Sequence, residues 1–173
     1  RHSAVRRLAE FEQLPLAPAL TALGDSSWRV RKSAAEVLVA VPPTPELLAG
    51  LLACLRSEDN AGLRNAATET LVRIGLPSAP ALLGALGDPD HDVRKFAADV
   101  LGEIGPTVAP GVTDSLIGLL GDTDGNVRAA AAEALGRIGD PRATPALIQA
   151  LTHGELQLQI SAMDALEHLG AEV

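Results

Sequence analysis

Aromatic residues are nearly missing from this sequence: its 173 residues include no tyrosine, one tryptophan and two phenylalanines. A core without rings must be built from Ala, Leu, Val and Ile. That favours closely packed helices over a sheet, whose strands prefer aromatic and β-branched side chains. Cysteine is as scarce. Cys54 stands alone, which excludes an intrachain disulfide framework and a cysteine-based zinc cluster, and leads us to expect a reducing, cytoplasmic setting. Long apolar runs are missing too. The most apolar region, 37–55, is broken by Pro42, Pro43, Pro45 and Glu46, far short of the roughly 18 residues of a membrane span. Positive charge is in deficit, with a formal net charge of −8. Nucleic-acid binding rests on phosphate neutralisation, so no nucleic-acid partner is expected. Lys32 and Lys95 are the only lysines, against many Arg and Ala, a bias that points to a GC-rich bacterial genome.

What is abundant is self-similarity, the feature to test first. An anchor position recurs at Arg1, Arg31, Arg64, Arg94, Arg128 and, with a substitution, Gln159. Leucine follows seven residues later at Leu8, Leu38, Leu71, Leu101, Leu135 and Leu166. An apolar residue follows at ten, and glycine closes four copies at Gly75, Gly105, Gly139 and Gly170. With Val30, Leu63, Val93, Val127 and Leu158 just before the anchor, the apolar positions form one face of an α-helix. We call this helix B. Its glycine suits a left-handed C-terminal cap. Ser27, Asn60, Asp90 and Asp124, four residues before the anchor, are expected N-caps.

Between B helices lies a second apolar segment announced by proline, helix A. It is expected near Pro18, Thr44-Pro45, Pro80 and Thr144-Pro145, with Thr as N-cap and Pro as first helical residue where the two adjoin. In the fourth copy either Pro110 or Thr113 opens it. The expected fold is all-α, a right-handed α-solenoid of stacked antiparallel helix pairs, read as one domain over 1–173. Arg1 falls inside a B helix with no helix A before it, so the chain is read as a fragment. The atypical unit 144–173 is read as a C-terminal cap.

The runs Leu23-Gly24-Asp25 with Val30-Arg31, Leu86-Gly87-Asp88 with Val93-Arg94, and Leu120-Gly121-Asp122 with Val127-Arg128 resemble HEAT repeats, closest to the short variety associated with phycobilin lyases. The resemblance covers essentially the whole chain. It implies a structural ladder in which Asp25, Asp88 and Asp122 at the inter-helix turns meet Arg31, Arg64, Arg94 and Arg128 of their own and adjacent units. Each link contributes about 1 kcal/mol, as partly exposed ion pairs do. Copy three offers Glu58 in place of Asp, and the last copy has lost both partners.

Other chemistry fares worse. Asp122, Asp124, Asn126 and Glu133 match four positions of an EF-hand loop, but the sixth must be Gly and is Val127, a helix-core residue. HEAT-like deoxyhypusine hydroxylases hold two irons through repeated His-Glu pairs. Here His2, His91, His153 and His168 form no such set and are expected at the surface. A bilin pocket wants aromatic walls, and Phe11, Trp28 and Phe96 lie far apart. Cys54 is expected to be buried and inert. No metal, cofactor or catalytic residue is expected.

One pattern exceeds what a core requires. Five residues after the anchors stand Glu36, Glu69, Asp99, Glu133 and Asp164. Two readings stay open. They form a solvated face, paired at i±4 as Lys32–Glu36, Glu69–Arg73, Lys95–Asp99 and Glu133–Arg137. Or they rim a groove for a basic or extended protein partner, with Trp28 as an aromatic anchor. The function expected is a non-catalytic interaction or assembly scaffold. The competing class is an accessory domain of an enzyme or bilin lyase whose catalytic part lies outside this chain.

Overall fold

The computed structural model describes residues 16–107 and 111–170, and among them there is no strand. The chain divides into two compact units with the boundary between Ala81 and Leu82. The first holds α1 (Leu16–Ala22), α2 (Trp28–Ala40), α3 (Pro45–Leu55), α4 (Ala61–Ile74), a 3-10 turn (Leu76–Ser78) and the start of α5 (Ala79–Ala85). The second holds the end of α5, α6 (His91–Ile104), a 3-10 turn (Gly105–Thr107) and α7 (Val112–Leu119). It continues with α8 (Gly125–Ile138), a third 3-10 turn (Pro141–Ala143), α9 (Thr144–His153) and α10 (Leu156–His168). Even-numbered helices are the B helices.

The repeat explains the interior of each unit. In the first, α1 and α3 pack on α2 and α4; in the second, α7 and α9 pack on α8 and α10. B helices also pack on B helices, α2 on α4, and α6 on α8 on α10. The leucines seven residues after the anchors, Leu38, Leu71, Leu101, Leu135 and Leu166, are all fully buried. Leucines of the A helices that pack on them, such as Leu47, Leu51, Leu116 and Leu147, are also fully buried, so each unit has an aliphatic core without rings.

Helix ends follow local chemistry. Asn60 Oδ1 accepts from the Leu63 N–H (2.9 Å), and Asp124 Oδ1 accepts from Asn126 and Val127 (2.9 and 3.2 Å). These satisfy backbone donors that the first turn leaves unpaired. Gly75, Gly105, Gly139 and Gly170 all have positive φ, between 66° and 77°, where a side chain would be strained.

Three expectations fail at the ends. Ser27 makes no side-chain cap; Asp25 Oδ1 takes the Ser27 N–H instead (2.8 Å), so the turn is closed one step earlier. Thr144 is the first residue of α9, not its cap, because a 3-10 turn runs directly into the helix. Helix α7 opens at Val112 behind Gly111 (φ 94°), placing Thr113 one residue inside; Pro110 lies outside the described residues.

Candidate functional site: the B-helix face and its turn-edge clamps

Each anchor arginine leaves its B helix toward the turn that precedes it. Arg31 Nη1 donates to the carbonyls of Asp25 (2.8 Å) and Ser26 (3.2 Å). Arg94 Nη1 does the same to Asp88 and Pro89 (2.8 and 3.1 Å), and Arg128 Nη1 to Asp122 and Thr123 (2.6 and 3.1 Å). Arg64 reaches Ser57 and Glu58, a register slipped by one residue. So within a unit the arginine grips turn carbonyls. The expectation that it meets its own unit's carboxylate is corrected, for a simple reason. The Asp carboxylate is drawn inward by the N–H two residues on, as in Asp88 to Asp90 (3.0 Å) and Asp122 to Asp124 (2.9 Å).

The carboxylate that remains serves the neighbouring pair. Arg94 Nε and Nη2 donate to Asp122 Oδ2 and Oδ1, both at 2.8 Å, a bidentate pair largely screened from solvent. The Arg94 guanidinium beside Asp122 holds that carboxyl below the usual carboxylate range. Arg128 is bound by Glu155 of the last pair. The last copy therefore keeps one partner after all: its carboxylate has moved two residues along the turn, from the ladder position to the cap position. Arg31 differs. Among the described residues no carboxylate pairs with it, and the first unit is tied instead by Asn60 Nδ2 donating to the Gly24 carbonyl (3.1 Å).

The outer surface of the B helices holds the acidic positions. In the second unit one groove is lined by Lys95, Asp99, Ala129, Ala130 and Glu133, and another by Glu133, Gly136, Ser161, Asp164 and Ala165. Their floors are alanine and glycine because the helices nearly touch. A Cβ on Gly102 would stand 2.8 Å from Ala134 Cα, and one on Gly136 would stand 2.8 Å from Ala165 Cα. In the first unit the corresponding groove is roomier, about 330 Å³, and is lined by Trp28, Lys32, Ala35, Asn65, Ala66 and Glu69. Trp28 is 60% exposed.

Pairing on this face is uneven. Lys95 holds Asp99 at 2.8 Å, while Arg137 spans Glu103 (3.4 Å) and Glu133 (3.6 Å), and Arg73 lies 3.9 Å from Glu69. The expected pair Lys32–Glu36 does not form, and among the described residues neither charge has an ion-pair partner. Asp164 has no ion-pair partner among the described residues.

The HEAT-repeat family model matches residues 1–72 and 79–167. The chain belongs to the HEAT-repeat family. Among solved structures it is similar to the CpcE–CpcF complex of phycocyanin lyase from a Nostoc species, at 27% identity and TM-score 0.56, over 92% of this chain and 66% of that one. It is similar in fold to a structure from microtubule plus end tracking by XMAP215, CLIP-170 and EB1, at 17% identity and TM-score 0.65, over 99% and 85%. It is also similar in fold to a designed armadillo repeat protein in complex with a (KR)4 peptide, at 19% identity and TM-score 0.50, over 96% and 92%. No curated protein matches the chain. The HEAT-repeat helix pair is thus shown twice, by sequence and by fold.

Seen as HEAT repeats, the remaining polar groups are mostly structural. Among the described residues no three of His, Cys, Asp and Glu come together as metal ligands. Asp122, Asp124 and Glu133 are occupied by an arginine, a helix cap and Arg137 respectively. His91, His153 and His168 are exposed; His2 and Phe11 lie outside the described residues. Cys54 is half-buried rather than buried as expected, and this partial burial pushes its thiol up, which disfavours the thiolate. Phe96 is half-buried under the Lys95 ammonium at 4.8 Å. Among the described residues no helix is long and apolar enough to cross a membrane.

One cluster escaped the sequence reading. Asp140 accepts from Thr113 Oγ1 (2.9 Å) and from Arg142 Nε and Nη2 (2.9 and 2.6 Å), and Arg142 also meets Asp114 at 3.3 Å. These bonds tie α7 to the turn before α9 and push the Asp140 carboxyl down to about 2. The only signal was the Asp140-Pro141 pair, which marks a helix start but not its partners.

Proposed function

We propose that this protein is a non-catalytic, cytoplasmic interaction scaffold that presents its B-helix face to a basic or extended protein partner. One observation carries the reading: the grooves between B helices have small apolar floors and carboxylate rims, and in the first unit Trp28 stands exposed on a groove that Lys32 and Glu69 also line. Alanine and glycine floors let a chain approach closely, carboxylates reward lysine and arginine on it, and an exposed Trp supplies anchoring area. That a repeat fold of this class can seat a basic peptide is illustrated by the designed armadillo protein. The net charge of −8 favours a protein partner over a nucleic acid. The paired carboxylates Asp99 and Glu133 contribute less than Glu36, since a partner's cation must displace the Lys95 or Arg137 already there.

The test is affinity capture from the host with the wild-type chain and with Glu36, Glu69, Asp99 and Glu133 changed to Lys, folding being checked by circular dichroism. A partner held by the wild type and lost from the variant supports the reading. Partners indifferent to the change sink it. The likeness to the CpcE–CpcF complex favours a second reading, an accessory role to a bilin lyase. A red absorbance band acquired on mixing with a linear tetrapyrrole would establish it; no spectral change would dismiss it.

A further inference from the structure

The groove beside Trp28 differs from its counterpart in the second unit in how its cations are engaged. On α6 the anchor Arg94 gives Nη1 to turn carbonyls and its Nε/Nη2 edge to Asp122, the latter two bonds both at 2.8 Å. The next residue, Lys95, holds Asp99 at 2.8 Å. Both positive charges are therefore neutralised within the fold. The groove that Lys95 lines between α6 and α8 has a volume of about 120 Å³.

On α2 the same two positions are Arg31 and Lys32. Arg31 Nη1 again donates to turn carbonyls, but among the described residues its Nε/Nη2 edge meets no carboxylate. Lys32 has no ion-pair partner among them either. The cause lies in the next turn. Glu58 stands at the register of Asp122, yet Asn60 makes the tie to the neighbouring pair by donating to the Gly24 carbonyl (3.1 Å). The guanidinium lies against Gly62, where an added Cβ would stand 3.3 Å from Arg31 Nε. Arg31 and Lys32 both line the groove of about 330 Å³, together with Trp28, Asn65 and the small residues Ala35 and Ala66. Arg29 adds a third cation, 5.5 Å from the centre of the Trp28 ring. Glu69 shares the lining and faces Arg73 at 3.9 Å. A locally cationic groove thus sits on a chain of net charge −8.

We propose that this groove binds an acidic side chain of a partner polypeptide, an aspartate or glutamate whose carboxylate takes the edge of Arg31 that Asp122 takes on Arg94. Lys32 adds charge, Asn65 Nδ2 supplies a further donor, and the exposed Trp28 ring packs an apolar neighbour of the acid. The inference deepens the proposed function and rests on it in one respect, that the B-helix face meets a polypeptide. It places one acidic residue on a basic or extended partner and so fixes the register of that partner along the face.

Trp28 is the one tryptophan and there is no tyrosine, so intrinsic fluorescence reports on this groove directly. The probe is an end-blocked peptide, alanine–leucine–glutamate–leucine–alanine, with glutamine or lysine replacing the glutamate as counterparts. With the full chain, the glutamate peptide should shift the Trp28 emission and bind at least about tenfold tighter than the glutamine peptide. That preference should weaken with salt. Arg31→Lys keeps the charge but loses the planar fork, and should cost about tenfold in affinity. Lys32→Gln, at an exposed position, should cost about threefold with folding unchanged by circular dichroism. An unchanged emission, equal affinity for the glutamate and glutamine peptides, or tighter binding of the lysine peptide would each overturn the proposal. So would glutamate-peptide binding indifferent to both variants. Binding that follows the expected pattern, while host partners ignore the acidic-to-lysine variant, would support this site and sink the acidic-rim reading alone.

Discussion

In the second unit successive B helices meet almost backbone to backbone, at Gly102 against Ala134 and at Gly136 against Ala165. In the first unit the same two register positions hold Val39 and Thr70, and nearer the helix starts a groove of about 330 Å³ opens beside Trp28 and Ala35. The clamps differ in parallel. Arg94 and Arg128 each reach a carboxylate on the next pair, whereas among the described residues Arg31 reaches turn carbonyls and no carboxylate. Thr70 is fully buried, yet its hydroxyl is satisfied by the Ala66 carbonyl at 2.6 Å within its own helix, so it adds no tie between helices. One repeat pattern thus yields a tightly seamed unit and a looser one, and the looser one carries Trp28 and the open charges Lys32 and Glu36.

The sharpest way to break this comparison is Gly136→Ala. In an ordinary helix interior that change stabilises by about 1 kcal/mol. Here the new Cβ would stand 2.8 and 2.9 Å from Ala165 Cα and Cβ, so we expect a net loss of about 2–3 kcal/mol from overpacking. Thermal or urea unfolding gives the sign directly. The control in the first unit, Val39→Ala at a half-buried site, should cost about 1 kcal/mol. A neutral or stabilising Gly136→Ala would mean that the seam is slack and the contrast between the units is empty.

Arginine truncation comes next. Arg94→Ala removes a bidentate carboxylate pair and two carbonyl bonds, with an expected cost of about 2 kcal/mol; Arg31→Ala, which loses carbonyl bonds alone, should cost about 1 kcal/mol. Equal urea midpoints for the two variants would remove the clamp from the argument.

The smallest effect is on pH dependence. Asp122 has a folded-state pKa below its ordinary value, so the stability it contributes is present above about pH 4 and is lost as pH falls through the lowered value. Asp122→Asn should therefore be less stable than wild type near neutrality and lose less on acidification below about pH 4. Parallel acid limbs for the two proteins would show that Arg94 does not act through this carboxylate.

Much of the fold was legible because its determinants are local and repeated. The buried leucines seven residues past each anchor and the positive-φ glycines are set by helix periodicity and by glycine's freedom, both visible in a window of one unit. The turns were harder. Ser27 and Thr144 have the residue types of caps but do not cap, since a neighbouring Asp and a 3-10 turn had already arranged the donors. Of the candidate site, the acidic positions were found by register and three of the four i±4 pairs form, while the Lys32–Glu36 pair fails for a reason no spacing rule contains.

The sequence by itself determined the helices, their pairing and the aliphatic core, because a period of three to four apolar residues allows one buried face and no other. Only the tertiary structure decided which carboxylate each arginine holds and that Glu155 replaces a missing ladder Asp. It also decided that the last B helix turns Leu156, Ile160 and Met163 outward. Those outcomes depend on distances between residues about one repeat apart in the chain, and hydrogen bonds and close contacts are decided within an ångström that register alone does not specify.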